Sequence, residues 1–165
     1  MNMNSESAIE AGIRSAKQLR KNGIPPIDKE ARIQESLDLL ERSEVAMVGS
    51  TDENGYPHIK AMFKIESEGL KTIWFSTNTS SRRVSQFIQD PKASVYVYDA
   101  GRFAGLLLVG EIEVLQDAES KQRLWKDGWE VYYPLGVTDP DYCILRFTAR
   151  WGNYYRGLQK ITFEI

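Results

Sequence analysis

Residues 45–65 read VAMVGSTDENGYPHIKAMFKI, two β-rich runs joined at Asp52-Glu53-Asn54-Gly55. Valine, isoleucine and phenylalanine suit a pleated strand. An Asn-Gly pair between two such runs signals a tight hairpin, because both residues tolerate positive φ. In the second run Ile59, Ala61, Phe63 and Ile65 alternate with Lys60, Met62, Lys64 and Glu66. Period-2 alternation predicts that the first set packs inward and that the second face presents ammonium groups outward.

Working outward, further strands are predicted at about Leu70–Thr77, Ala93–Tyr98, Phe103–Leu115, Tyr142–Ala149 and Tyr154–Ile165, with a turn at Asp99-Ala100-Gly101-Arg102 and a bend at Gly110. Helices are predicted over about Ser5–Lys21, from the N-cap Asp28 to about Ser43, over a short segment before the breaker Asp90-Pro91, and over Asp117–Lys126. The first helix has only a thin apolar stripe of Ile9, Ile13, Ala16 and Leu19. We therefore divide the chain into a helical arm, 1–27, and one domain, 28–165. About six antiparallel strands around one short internal helix predict an α+β, mainly β fold, a small closed or partly closed barrel that removes free sheet edges.

At 165 residues and 42% hydrophobic content the chain is long enough to bury a core without staples. Its 21 basic and 23 acidic residues give a net charge of −2, so no general attraction to nucleic acid or anionic lipid is expected. Cys143 is the single cysteine, which rules out an intrachain disulfide and a cysteine-pair metal site and suits a reducing compartment. No leader or membrane-spanning run is apparent, so a soluble cytoplasmic protein is expected.

The segment Ser76-Thr77-Asn78-Thr79-Ser80-Ser81-Arg82-Arg83-Val84-Ser85-Gln86-Phe87-Ile88 carries the chemistry. Val84, Phe87 and Ile88 stand at helical spacing, which places a helix start at Thr79 or Ser80 and both arginines in its first turn. Cations at a helix N-terminus oppose the macrodipole and cost roughly 0.3–1 kcal/mol each. A phosphate there reverses the sign, because backbone N–H groups, serine hydroxyls and guanidinium forks all become donors to one dianion. Lys60 or Lys64 from the hairpin could add charge. The plain alternative is that both arginines are solvated or pair with surface acids.

These residues resemble the pyridoxamine 5′-phosphate oxidase-like, FMN-binding split-barrel superfamily, especially its general-stress-protein branch. The match spans roughly Val45–Leu115. Pro57-His58-Ile59-Lys60-Ala61-Met62 is similar to a strand that supplies a basic residue and backbone contacts. The 76–83 segment is similar to a Tyr-Thr-Asn-x-x-Ser-Arg-Lys phosphate motif, with Ser76 and Arg83 replacing its tyrosine and lysine. The resemblance implies a six-stranded antiparallel split β-barrel with flanking helices, dimerising around two FMN sites. It implies Lys60, Ser81, Arg82 and Arg83 as phosphate ligands, with Ala61, Met62 and Ser76-Thr77-Asn78 along the ribityl chain and ring. Trp151 falls where many members place a tryptophan near the flavin.

The resemblance stops short of the oxidase itself. No histidine follows Trp151 in Trp151-Gly152-Asn153-Tyr154-Tyr155-Arg156, where the oxidase has a substrate-gripping arginine and histidine, and Gly105 stands at a flavin-contacting glutamine. An FMN-dependent oxidoreductase acting on a small molecule is therefore expected, without the pyridoxamine phosphate reaction. The alternatives are a non-catalytic flavin-binding stress protein, or a relative binding haem or deazaflavin. His58, the sole histidine, reads as a hydrogen-bonded strand residue and Cys143 as a small core residue, so neither metal nor nucleophile is expected. Trp125, Trp129, Tyr132 and Tyr133 read mostly as packing residues.

Overall fold

The computed structural model describes residues 6–165. Seven strands run β1 (Val45–Thr51), β2 (Pro57–Glu68), β3 (Thr72–Asn78), β4 (Lys92–Asp99), β5 (Ala104–Leu115), β6 (Tyr142–Arg156) and β7 (Gln159–Glu164). Their order is β3-β2-β1-β4-β5-β6-β7, and a further antiparallel pairing of β3 with β6 closes the first six into a barrel. The expected split between Ala149 and Tyr154 is absent. One long strand, β6, runs through, and the chain reverses at Gly157 (φ 58) before β7.

β6 changes partner along one edge. Tyr142–Thr148 pairs with β3, whereas Trp151–Arg156 pairs with β7. The backbone groups stranded at that fork are all satisfied: Lys71 Nζ donates to the Ala149 carbonyl (3.0 Å) and the Ile165 carbonyl (3.1 Å), and Ile165 N–H donates to Arg150 O (3.0 Å). At the fork the β5–β6 register shifts between Val109 and Gly110, leaving Arg150 of β6 as the extra, bulged residue. A Cβ on Gly110 would stand 2.0 Å from the Thr148 carbonyl oxygen, so only glycine lets β5 and β6 approach at the predicted bend.

Helix α1 (Ala8–Asn22) starts at a capping box, Ser7 Oγ accepting from Glu10 N–H and Glu10 from Ser7 N–H; the expected start at Ser5 lies outside the described residues. No α1 residue is buried. Helix α2 (Lys29–Arg42) begins at Asp28 as predicted and buries Ser36, Leu39 and Leu40 against one barrel end. Helix α3 (Arg82–Gln89) closes the other end with Val84 and Phe87, and α4 (Ala118–Leu124) lies outside the barrel. The barrel interior is aliphatic and aromatic, with Ile73, Phe75, Leu106, Leu108, Leu145 and Phe147 at its centre and Cys143 within it. A second cluster around Tyr133, Tyr142, Trp125 and Trp129 packs edge-to-face beneath α4, the packing role expected for those tryptophans.

Two local expectations are corrected. In the hairpin only Gly55 takes positive φ (83°). The loop is widened by Asp52, whose carboxylate accepts from Asn54 and Tyr56 N–H, so Asn54 stays in ordinary backbone space. The faces of β2 are also reversed. Met62 is 5% exposed and sits in the core, while Ile59 and Phe63 are 68% and 72% exposed. The reason is that β2 is apolar on both faces. Phe63, Ala61 and Ile59 oppose Val45, Met47 and Gly49, and Met47, Tyr96 and Leu107 carry the same outer surface across β1, β4 and β5.

Gly110→Ala should destabilise the fold by about 3 kcal/mol through backbone overpacking. Urea unfolding checks this as a lowered midpoint with unchanged slope.

Candidate functional site

The inward face of β2 carries two lysines, and each meets the end of a different helix. Lys64 Nζ donates to the Glu41 carbonyl at the C-terminus of α2 (3.1 Å), where the macrodipole favours a cation; burial pulls its pKa down. Lys60 instead faces the start of α3. Lys64 is thus excluded from the expected site, and Lys60 belongs to it.

Between β1, β2 and the start of α3 lies a cavity of about 190 Å³ lined by Lys60, Ser81, Arg82 and Arg83, together with Ser50, His58 and Gln86. Helix α3 starts at Arg82, two residues beyond Ser80, with Ser81 as its N-cap, but the Ser81 side chain makes no capping bond, and its buried Oγ has no partner. Gln86 is 4% exposed; its Oε1 accepts from Ser50 Oγ (2.7 Å), leaving Nε2 buried without an acceptor. At positions N1 and N2 of α3 the Arg82 and Arg83 N–H groups have no intrahelical acceptor. These are unspent donors around one small space, and a buried donor left unpaired costs about 1–3 kcal/mol.

The arginines differ. Arg82 is exposed and reaches Asp52 Oδ2 at 3.6 Å, a weak version of the surface pairing weighed above. Arg83 makes one long contact to Thr77 Oγ1 (3.4 Å), and among the described residues it has no carboxylate in ion-pair range. Burial pulls its pKa below the usual guanidinium value, with Tyr133 nearby opposing the shift. Asp52 also holds His58 Nε2 at 3.0 Å, which lowers the Asp52 pKa. A cavity walled by Lys60, Arg82 and Arg83 with this little counter-charge carries a positive field that favours an anion over a cation.

The approach to α3 is fixed from 60 residues away. Asp141 accepts from Ser80 N–H (2.7 Å) and from Asn78 Nδ2 (2.9 Å), and its backbone carbonyl accepts from Thr79 N–H (2.8 Å). Thr77 is buried, Ser76 faces the second cluster near Tyr133, and Asn78 is committed to Asp141. Ala61 is exposed on the outer face opposite Met47, and the Met62 side chain is inside the barrel. Trp151, 37% exposed, stands on the outer face between Val109 and Glu164 and is not among the residues lining the cavity. Ser50, His58, Gln86 and Asp141 are the site residues that the sequence reading missed. His58 alone had a usable signal, its i, i+2 spacing from Lys60.

The profile of the pyridoxamine 5′-phosphate oxidase family matches residues 33–156. Among solved structures, a protein from Clostridium acetobutylicum related to general stress protein 26 of B. subtilis, of the pyridoxinephosphate oxidase family, is 55% identical. That match covers 84% of this chain and 97% of the other, with a TM-score of 0.76. General stress protein 26 from Bacillus anthracis shares the fold at 13% identity (81% and 99% covered, TM-score 0.66). A haem-binding protein from Mycobacterium smegmatis does so at 14% identity (86% and 59% covered, TM-score 0.66). No curated protein matches the sequence.

The hydrogen bonds from Ser80 and Asn78 hold the Asp141 carboxyl below the usual aspartate range. A depressed folded-state pKa stabilises above the unfolded value and is lost as pH falls through the folded one. The stability gap between wild type and Asp141→Asn should therefore be constant near neutrality and shrink below about pH 4, as read from urea midpoints at several pH values.

Proposed function

The chain belongs to the pyridoxamine 5′-phosphate oxidase family, in its general stress protein 26-like branch, and on that premise we propose that it is an FMN-binding protein using the flavin for electron or hydride transfer with a small molecule. The observation that carries this reading is the orphaned Ser81 hydroxyl at an α3 N-terminus crowded by Lys60, Arg82 and Arg83. A phosphate monoester fits that donor set in charge and geometry. Lys60, Ser81, Arg82 and Arg83 would hold it. The 76–78 backbone and Ala61 would border the rest of the cofactor, whereas Met62 would support it only from inside the barrel.

When bound, the flavin supplies the redox chemistry. The chain's own residues position it: Asp141 fixes the turn that aims α3, and Arg83, half-desolvated, provides a charge that needs no reorganisation when the phosphate arrives. His58, the only histidine, is tied to Asp52 at the cavity edge, which favours phosphate over axial haem ligation as its setting.

The outer barrel face supports a homodimer. Val45, Met47, Ile59, Phe63, Tyr98 and Trp151 are all substantially exposed on one continuous sheet surface, a contiguous apolar patch of the kind that marks an interface. In such a dimer Trp151 would be delivered toward the partner's cofactor.

The purified protein should carry a flavin absorption spectrum or acquire one on adding FMN; a colourless protein that takes up no FMN would sink the reading. Arg82→Ala/Arg83→Ala should weaken FMN by about 100-fold and riboflavin only a few-fold, because riboflavin lacks the phosphate. Fluorescence-quenching titration measures both. Phe63→Asp/Met47→Asp should shift sedimentation from dimer to monomer. Reduction of the bound flavin by NADH or NADPH would separate an oxidoreductase from a flavin store.

A further inference from the structure

The β1–β2 hairpin carries a carboxylate whose two oxygens have separate tasks. Asp52 Oδ1 accepts from Asn54 N–H (3.0 Å) and Tyr56 N–H (2.9 Å), which with the Gly55 N–H to Asp52 carbonyl bond (2.9 Å) fixes the loop. Oδ2 takes no part in the turn. It lies 3.0 Å from His58 Nε2 and 3.6 Å from an Arg82 guanidinium nitrogen. Both of these partners line the α3 cavity, and Asp52 stands behind them. Its side chain is 7% exposed and is anchored from the loop, whereas the Arg82 side chain is 65% exposed. Of the two ions, the arginine is the one with freedom to leave.

Among the described residues Asp52 is the one acid in ion-pair range of a residue lining this cavity. Asp141, on the approach to α3, has its oxygens on Ser80 N–H and Asn78 Nδ2. The bonds from His58 and from the Tyr56 and Asn54 N–H groups hold the Asp52 carboxyl below the usual aspartate range, so its charge is present throughout the neutral range. With His58 neutral, Lys60, Arg82 and Arg83 set against Asp52 leave a surplus of two positive charges around about 190 Å³. One phosphate monoester near its dianionic form balances that surplus. Pyrophosphate brings more negative charge on a longer body.

We propose that Asp52 is a specificity-determining residue that sets the α3 cavity for a single phosphate group and against a diphosphate. The proposal rests on the reading of that cavity as a phosphate site. Asp52 works from behind the wall in two ways. It holds Arg82 when the cavity is empty, so an incoming anion must take the guanidinium from it. Its fixed negative charge then opposes whatever charge a ligand adds beyond the first phosphate.

Calorimetric titration of the full chain with inorganic phosphate, pyrophosphate and FMN tests the proposal. Asp52→Asn keeps an oxygen for the Asn54 and Tyr56 N–H groups and removes the charge. Phosphate and FMN should tighten by about threefold and pyrophosphate by about tenfold, so the preference for one phosphate falls about threefold. Arg82→Ala should strengthen that preference, and Asp52→Asn/Arg82→Ala, which restores the surplus of two charges, should return it to near the wild-type value. A purely structural role in the hairpin would lower the urea midpoint and leave the preference unmoved. Should Asp52→Asn fail to fold, Asp52→Ser, whose hydroxyl can accept in the same kind of turn, should reproduce the change in preference.

An unchanged preference in the folded variant overturns the proposal, as does weaker phosphate binding, since the carboxylate would then be assisting the site. Phosphate binding with the expected pattern but no FMN binding sinks the flavin reading and leaves the role of Asp52 standing. FMN binding with a preference indifferent to Asp52 does the reverse. Binding of none of the three ligands overturns both.

Discussion

Every element around the α3 cavity hangs on the fork in β6. Over Tyr142–Thr148 this strand closes the barrel by pairing with β3, and from Trp151 it pairs with β7 instead. The exchange strands backbone groups at Ala149 and Arg150, and it holds only because Lys71, Ile165 and the Gly110 approach satisfy or accommodate them. Closure in turn fixes β3, whose far end at Asn78 leads into α3. Asp141, just before β6, then clasps the Asn78–Ser80 turn. Helix α3 is therefore aimed by the same strand that seals the barrel.

The charge pattern follows from that geometry. A two-residue pleat repeat puts His58, Lys60, Met62 and Lys64 on one face of β2, and the barrel gives that face two ends with opposite helix dipoles. Lys64 meets the C-terminus of α2 and completes it. Lys60 meets the N-terminus of α3, where Arg82 and Arg83 already stand, and adds to an unfavourable field. One strand carries a lysine bonded to a helix C-terminus and an exposed lysine beside a helix N-terminus. The contrast within a single element makes the α3 cavity a specific feature and not a consequence of general basicity.

This also explains how much the sequence could disclose. Periodicity and turn residues located nearly every strand, the cap at Asp28, the helix near Asp117 and the bend at Gly110, because those signals are local. The facing of β2 was misread because Ile59, Ala61 and Phe63 look like a core set and are one, for a surface outside the barrel. Register against β1 and β4 is needed to see it. At the site, Ser81, Arg82 and Arg83 were legible from their conflict with the helix dipole. Asp141 was not, since its bonds to Asn78 and Ser80 span 60 residues and leave no short-range trace. Ser50 and Gln86 are ordinary polar residues until burial pairs them and leaves the Gln86 amide nitrogen without an acceptor.

The departures from the oxidase pattern have structural occupants. A Cβ on Gly105 would meet Tyr96 Oη at 2.4 Å and the Tyr155 ring at 2.7 Å, and the two phenols hydrogen-bond across it at 2.9 Å. Burial and the partner phenol push the Tyr96 pKa upward. A glutamine at this position would displace both rings. Arg156, the arginine after Trp151, is turned toward Glu35 and the Arg32 cluster at the opposite end of the barrel from α3. The two positions at which the chain departs from the oxidase pattern are thus taken up by a tyrosine pair and an internal ion pair.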